Sequence, residues 1–185
     1  MAKLILILGG ARSGKSRTAQ QLAQKIGGDS VLFVATAQAS DDEMRERIDS
    51  HRRERPAAWQ TLEAPLNVAE CLGGKSLPAV VLLDCMTLLA SNVLLTLPED
   101  CSQAEANQAV LDEVERLLTV QEPSSATWIV VSNEVGMGVV PPFRLGRLYQ
   151  DALGVANQRL ARSADAVILM VAGLPWYLKG ESDHD

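Results

Sequence analysis

One stretch near the N-terminus, LILILGGARSGKS, constrains the fold of this 185-residue chain more than any other. Its continuous apolar run predicts a strand that is buried on both faces of a parallel sheet. The residues from Gly9 to Ser16 fit the pattern G-x-x-x-x-G-K-[ST] of a phosphate-binding loop, or P-loop. In such a loop backbone N–H groups surround phosphates, Lys15 reaches the β and γ phosphates, and Ser16 coordinates Mg²⁺. The chain is therefore expected to bind a nucleoside triphosphate with magnesium.

Segments of strand and helix character alternate along the rest of the chain. Apolar runs predict five strands, at residues 3–9, 31–36, 79–85, 127–134 and 166–173. Amphipathic patterns predict helices at about residues 15–26, 102–120 and 143–163. This alternation predicts a single α/β domain over residues 1–185, with a mainly parallel sheet and helices on both faces. Ligands of such sheets bind at the carboxyl ends of the strands.

Polar residues end two of the predicted strands. Asp84 follows four apolar residues, which suits a carboxylate that holds Mg²⁺ or its water, although a short acid there can also cap a loop. Asn133 and Glu134 end the fourth strand in the same way, and a loop satisfied by its own hydrogen bonds explains them equally well. Nothing in the chain resembles the N-K-x-D element with which many GTPases recognise guanine. These residues alone predict a magnesium and nucleotide site without a base preference.

A charged helix is predicted between the second and third of these strands. Ser40 and Glu43 have capping-box spacing, and Pro56 disfavours helical geometry in the residue before it, so the helix should span about residues 41–55. His51, one of only two histidines in the chain, lies near its end. A lone histidine near an apolar helical face is more often structural than catalytic.

Three features favour catalysis by His51. Its helix begins shortly after the carboxyl end of the second strand, and Arg52, Arg53 and Arg55 could hold a triphosphate. Such cations would lower the pKa of the imidazole below its usual value of about 6.5 and keep it neutral at pH 7. A neutral imidazole can attack phosphorus and form a phosphoramidate, a step that a simple kinase does not need.

The composition limits the classes of binding partner and indicates the cellular compartment. The net charge of −6 argues against general nucleic-acid binding, which needs a basic face. Three cysteines without metal-type spacing indicate reduced thiols in the cytoplasm. No segment approaches the roughly 18 apolar residues of a membrane span. Two rival functions fit the motifs so far: a P-loop kinase of another small metabolite with an arginine lid, and a nucleotide-dependent switch subunit.

Seven stretches, in order along the chain, carry a resemblance to a known family. They are GGARSGKS, VATAQ, DDEMRERI, HRRERPAAW, VVLLDCMT, VSNEVGMGVVP and NQRLA. Together they resemble the bifunctional adenosylcobinamide kinase/adenosylcobinamide-phosphate guanylyltransferases over about residues 4–179. The combination is far more specific than a P-loop alone.

The resemblance implies a pair of reactions in assembly of the cobalamin nucleotide loop. The corrinoid substrate adenosylcobinamide is phosphorylated on its aminopropanol hydroxyl by ATP or GTP. GMP is then transferred from GTP to that phosphate, which gives adenosylcobinamide-GDP and pyrophosphate. The resemblance further implies a RecA-like P-loop NTPase fold, a homotrimer, and a guanylyl-histidine intermediate on His51.

The family's nucleotide contacts can be carried over residue by residue. They fall on Gly9, Gly10, Ala11, Arg12, Ser13, Gly14, Lys15, Ser16, Ala35, Thr36, Ala37, Arg52, Arg53, Glu54, Arg55, Glu63 and Asp84. Ser16 and Asp84 would hold the Mg²⁺. The chain departs from some members by carrying Ser50 before His51 in place of a second histidine, and Asp84 in place of glutamate. Neither change removes a chemical function.

Overall fold

The structure, a computed structural model, describes residues 3–38, 45–46, 52–53 and 55–180. The strands are β1 (Leu4–Gly9), β2 (Val31–Ala35), β3 (Gln60–Glu63), β4 (Val80–Asp84), β5 (Thr127–Val131), β6 (Ala166–Val171) and β7 (Leu174–Lys179). The helices are α1 (Lys15–Gly27), α2 (Val68–Leu72), α3 (Met86–Leu94), α4 (Gln103–Gln121) and α5 (Arg144–Ser163).

The seven strands form one sheet in the order β3-β2-β4-β5-β1-β6-β7. Every neighbouring pair is parallel except β6 and β7, which are antiparallel. Strand β5 lies between β1, which leads into the P-loop, and β4, which ends at Asp84. The carboxyl ends of these three strands therefore share one edge of the sheet, as the sequence predicted for a mainly parallel α/β fold.

Two hydrophobic cores lie on the two faces of the sheet, because successive strand residues point to opposite sides. On one face α1 packs its buried Ala19 and Ala23 over Ile7 and Phe33. The other face carries α2 to α5 and the larger core. The prediction of helices on both faces is confirmed. Within the part of the chain that is described, no helix combines the length and apolarity needed to cross a membrane.

Most of the predicted elements are confirmed, with ends shifted by a few residues. The five predicted strands are β1, β2, β4, β5 and β6, each somewhat shorter than its apolar run. Helix α4 begins as its capping box predicts: Glu105 N donates to Ser102 Oγ, and the Glu105 carboxylate accepts from Ser102 N. Strands β3 and β7 and helices α2 and α3 were not predicted. In the predicted helix at 41–55, residues 45–46 and 52–53 are helical; its capping box and His51 lie outside the described residues.

Candidate nucleotide-binding and active site

The P-loop connects β1 to α1 and depends on glycine at its first position. Gly9 has φ +152°, and a Cβ atom there would lie 2.5 Å from the backbone oxygen of Met170 on β6. Gly14, which precedes α1, has φ +97°. Residues with a side chain rarely adopt such φ angles. Both glycines therefore allow a tight turn that brings backbone N–H groups around a phosphate.

Two side chains of the loop are placed for an anion. The Lys15 ammonium donates to Gly10 O across the loop at 2.6 Å, and the residue is buried. The Ser13 hydroxyl is buried and has no hydrogen-bond partner among the described residues, while Gly173 N donates to Ser13 O and fixes its backbone. A buried hydroxyl normally has a partner. The residues present therefore suit a phosphate group, whose oxygens would accept from Ser13 and Lys15.

Asp84 ends β4 and is held in place by a buried threonine on the neighbouring strand end. The Thr36 hydroxyl donates to Cys85 O at 2.7 Å and accepts from Cys85 N at 2.9 Å. Asn92 Nδ2 in α3 donates to Thr36 O at 2.9 Å. These bonds join the carboxyl ends of β2 and β4, so they fix the backbone immediately after Asp84.

The electrostatics around Cys85 connect Asp84 with the P-loop. Burial, and then the negative charge of Asp84, raise the pKa of the Cys85 thiol from its ordinary value of 9.0 to about 11, and the charge of Lys15 acts in the opposite direction. The thiol is therefore protonated at neutral pH and is not a nucleophile. Both charges act on one residue, so Lys15 and Asp84 lie in the same region at the strand ends.

The donors at these strand ends suit a Mg²⁺ ion that also binds substrate phosphates and water. No group of three or more His, Cys, Asp or Glu side chains that could hold a metal occurs in the described ranges. Mg²⁺ is commonly bound through one or two carboxylates together with substrate phosphates and water. Ser16 in the first turn of α1 and the half-buried Asp84 would supply that limited set of ligands.

A second group of cations lines a cavity of about 360 Å³ beside β2 and β3. Arg52 forms an ion pair with Glu63 at the end of β3. The Arg55 guanidinium lies over the Phe33 ring, 3.4 Å from its centroid. Burial lowers the pKa of Arg55, while the charge of Asp84 opposes that shift. Its Nε and Nη1 are buried without a hydrogen-bond partner in the described part of the chain, so they are donors that suit an anionic ligand.

The family model "Cobinamide kinase / cobinamide phosphate guanyltransferase" matches residues 5–178. The chain belongs to this family. It is 41% identical over 179 residues to "Bifunctional adenosylcobalamin biosynthesis protein CobU" of Salmonella typhimurium, which covers 92% of this chain and 97% of that protein. It is 45% identical over 177 residues to "Bifunctional adenosylcobalamin biosynthesis protein CobP" of Pseudomonas aeruginosa, with 95% and 97% covered. The bifunctional family predicted from the sequence is thus confirmed.

A solved structure agrees with the fold. The flagellar accessory protein FlaH from Methanocaldococcus jannaschii superimposes with a TM-score of 0.50 at 15% identity, over 97% of this chain and 79% of that one. At that identity the likeness concerns the fold alone. The predicted fold class, an α/β fold with a mainly parallel sheet and helices on both faces, is confirmed.

In this cobinamide kinase/guanyltransferase fold, the predicted site residues do not all lie together. Those of the P-loop and Asp84 lie at one edge of the sheet, and Arg52, Arg55 and Glu63 line the adjacent cavity. Thr36 is completely buried, with its hydroxyl engaged by Cys85, whereas Ala35 and Ala37 are half-buried. Arg53 is exposed. His51 and Glu54 lie outside the described residues. The roles of all these residues in binding stay predictions.

The segment after β5 proves to be tied to the P-loop, which sequence reasoning had left open. Asn133 N donates to Thr87 Oγ1 at 2.8 Å, and Glu134 N donates to Gly9 O at 3.1 Å. Asn157 Nδ2 in α5 donates to Asn133 O at 2.9 Å. Sequence reasoning assigned no role to Thr87 or Asn157; the stretch NQRLA, which begins at Asn157, was the only signal that pointed to the latter. These contacts make the carboxyl end of β5 part of the site's frame.

Proposed function

We propose that the chain carries out both reactions of its family at one magnesium-dependent nucleotide site: phosphorylation of adenosylcobinamide by ATP or GTP, then transfer of GMP from GTP to the resulting phosphate. The observation that carries this proposal is the P-loop cradle, with Lys15 and Asp84 near Cys85, next to a cavity that contains the buried donors of Arg55. Bound Mg²⁺ would supply charge neutralisation of the phosphates at Ser16 and Asp84.

In the kinase reaction the protein's contribution is position and charge. The P-loop N–H groups and Lys15 would hold the β and γ phosphates, and the N-terminus of α1 adds a partial positive charge. The oxygen of the corrinoid hydroxyl attacks the γ phosphorus and its proton passes to water, while the bond from that phosphorus to the β-γ bridging oxygen breaks and the nucleoside diphosphate leaves. Lys15 stabilises the negative charge that develops on the leaving oxygen.

In the guanylyl transfer we assign His51 as the nucleophile. Its neutral ring nitrogen attacks the α phosphorus of GTP, an N–P bond forms, and the bond to pyrophosphate breaks. A phosphate oxygen of the corrinoid then attacks the same phosphorus and the N–P bond breaks, which returns His51. Arg52 and Arg55, which line the arginine cavity, would balance the charge of the departing pyrophosphate.

The proposal is tested by incubating the protein with GTP labelled at the α phosphorus. A phosphoramidate predicts a label on the protein that is stable in base and labile in acid. The label should be absent in His51→Asn and present in His184→Asn, which changes the other histidine of the chain. His51→Asn should keep the kinase activity. A label that survives in His51→Asn, or loss of both activities in a folded variant, would contradict the assignment.

The molecular setting is part of the same proposal. We propose one catalytic domain over residues 1–185, acting as a cytoplasmic homotrimer on a small-molecule corrinoid. Light scattering of the purified chain gives the mass directly. A mass of one or two chains at working concentration would contradict the trimer without affecting the assigned chemistry.

A further inference from the structure

An apolar cavity of about 420 Å³ lies on the other face of the sheet from the arginine cavity. Its walls come from α3, from the segment between β5 and α5 and from the first turns of α5, and include Leu88, Leu94, Leu95, Phe143, Leu145 and Tyr149. None of its lining residues is charged. A triphosphate needs cations around it, so this cavity is not a second place for the nucleotide.

Exposed apolar side chains occur in the lining of this cavity and in the loop that precedes Phe143. Phe143 is 78% exposed and Leu95 is 68% exposed, and the preceding loop adds Met137, Val139 and Val140, all more than half exposed. Large apolar residues clustered on one loop mark a ligand or partner site more often than chance exposure does. The volume of the cavity also falls within the range of small-molecule sites.

The cavity is joined to the P-loop by a short series of hydrogen bonds. Glu134 N donates to Gly9 O at 3.1 Å, and the next residue, Val135, accepts from Gln150 Nε2 at 2.8 Å. Tyr149, which lines the cavity, donates from its hydroxyl to Thr87 O at 3.4 Å. The segment that carries the exposed apolar side chains therefore starts three residues after Glu134, which is bonded to the P-loop.

The far end of the loop is braced as well. Arg147 Nη1 donates to Pro141 O at 3.0 Å and to Pro142 O at 2.8 Å, and Arg144 Nη1 donates to Glu99 O at 2.7 Å. These bonds hold the loop in one conformation although its side chains face outward. A loop that is already ordered loses little conformational entropy when a ligand binds.

We propose that the apolar cavity and the segment at 137–145 bind the corrin ring of the acceptor substrate, so that its hydroxyl arm extends across Glu134 to the P-loop. This inference rests on the proposed kinase function. A corrinoid combines broad apolar ring faces with peripheral amides. The apolar side chains cover a ring face, one edge of the ring enters the cavity, and the hydroxyls of Ser91 and Tyr149 bond to amides at that edge. The Tyr149 hydroxyl, which already donates to Thr87 O, would accept from an amide N–H of the corrinoid.

The test measures binding of dicyanocobinamide to the full chain by calorimetry, together with steady-state kinase kinetics. Leu95→Ser and Phe143→Ser should each weaken corrinoid binding about tenfold, the effect of losing one buried large apolar contact. The matched control is Ile26→Ser, an exposed apolar residue at the end of α1 away from the P-loop. The control should bind like the wild type, and all three variants should keep the wild-type affinity for GTP.

The outcomes separate this inference from the function on which it rests. A raised KM for cobinamide with little change in KM for the nucleotide supports the site. Wild-type corrinoid affinity in the Leu95→Ser/Phe143→Ser double variant overturns it and leaves the kinase function standing. A lower molecular mass of that variant with unchanged corrinoid affinity also overturns it, because the surface is then a contact between subunits. A wild-type chain that neither binds nor phosphorylates cobinamide overturns both proposals.

Discussion

Replacing Thr36 with valine tests whether one buried hydroxyl holds the two strand ends of the site together. Valine has almost the same shape, so the change opens no cavity and removes only the hydrogen bonds. The Cys85 carbonyl keeps a donor, because Leu89 N also donates to it at 3.2 Å, but Cys85 N–H loses the only acceptor that the described residues show for it. One orphaned buried donor plus one lost bond should lower the free energy of unfolding by about 2–3 kcal/mol.

Urea unfolding followed by tryptophan fluorescence, at one fixed chain concentration, measures this loss. Thr36→Ser keeps the hydroxyl and should recover most of the stability. Thr96→Val is the matched control, since the Thr96 hydroxyl donates to Val93 O at 2.7 Å on an exposed helix end. That change should cost less than about 0.5 kcal/mol, as exposed substitutions usually do. If Thr36→Val and Thr96→Val cost the same, the Thr36 hydroxyl does not organise the site.

The same substitution has a functional readout. Asp84 directly precedes Cys85, so a Cys85 N–H without a partner should shift the carboxylate that is proposed to hold Mg²⁺. We therefore expect Thr36→Val to weaken magnesium-dependent GTP binding more than binding measured in EDTA. Equal weakening under both conditions would mean that Thr36 acts on the nucleotide and not through Asp84.

Three further changes test other parts of the structure. Gly9→Ala should destabilise the fold by about 1–3 kcal/mol, because its Cβ would meet Met170 O, whereas a Cβ on Gly10 meets nothing within 4 Å, so Gly10→Ala should leave thermal stability unchanged. Glu113→Leu should cost about 1–3 kcal/mol in urea unfolding, more than Glu113→Gln, because the buried carboxylate accepts from Val68 N at 2.9 Å. Since burial raises the pKa of Cys85 from 9.0 to about 11, the folded state holds that proton more tightly than the unfolded chain. This contribution to stability is complete below pH 9 and lost as the pH rises towards 11, so Cys85→Ala should lose less stability over that range.

The elements that could be predicted from the sequence are those whose formation depends on residues close together in the chain. Buried parallel strands are continuous apolar runs, so β1, β2, β4, β5 and β6 could be predicted one by one. The edge strands give no such signal. Strand β3 reads QTLE and is largely exposed, and β7 contains Pro175 and is exposed at every position except Tyr177, which is half-buried. Helix α3 follows β4 at once, with no side-chain cap at Cys85, so nothing marks its start.

In the site as well, local motifs could be predicted from the sequence and long-range contacts could not. The P-loop is a contiguous motif, and its glycine, lysine and serine positions could be assigned from spacing alone. The bond between Thr36 and Cys85 joins residues 49 apart in sequence, and Arg55 reaches Phe33 only because the chain returns over β2. Contacts of that kind depend on strand order, which alternation of strands and helices does not specify. The buried, unpaired Arg55 donors could therefore be found only in the folded chain.

Substitutions beside the two cavities should affect the two proposed reactions differently. Both reactions need the corrinoid beside the P-loop, since it supplies the hydroxyl in the first and the phosphate oxygen in the second. Leu95→Ser should therefore impair both, whereas His51→Asn should impair only the guanylyl transfer. The apolar cavity and the arginine cavity lie on opposite faces of the sheet and share no lining residue. The free-energy effects of the two substitutions on the second reaction should consequently add to within about 0.5 kcal/mol. A strong departure from additivity would mean that the corrin ring contacts the His51 segment directly.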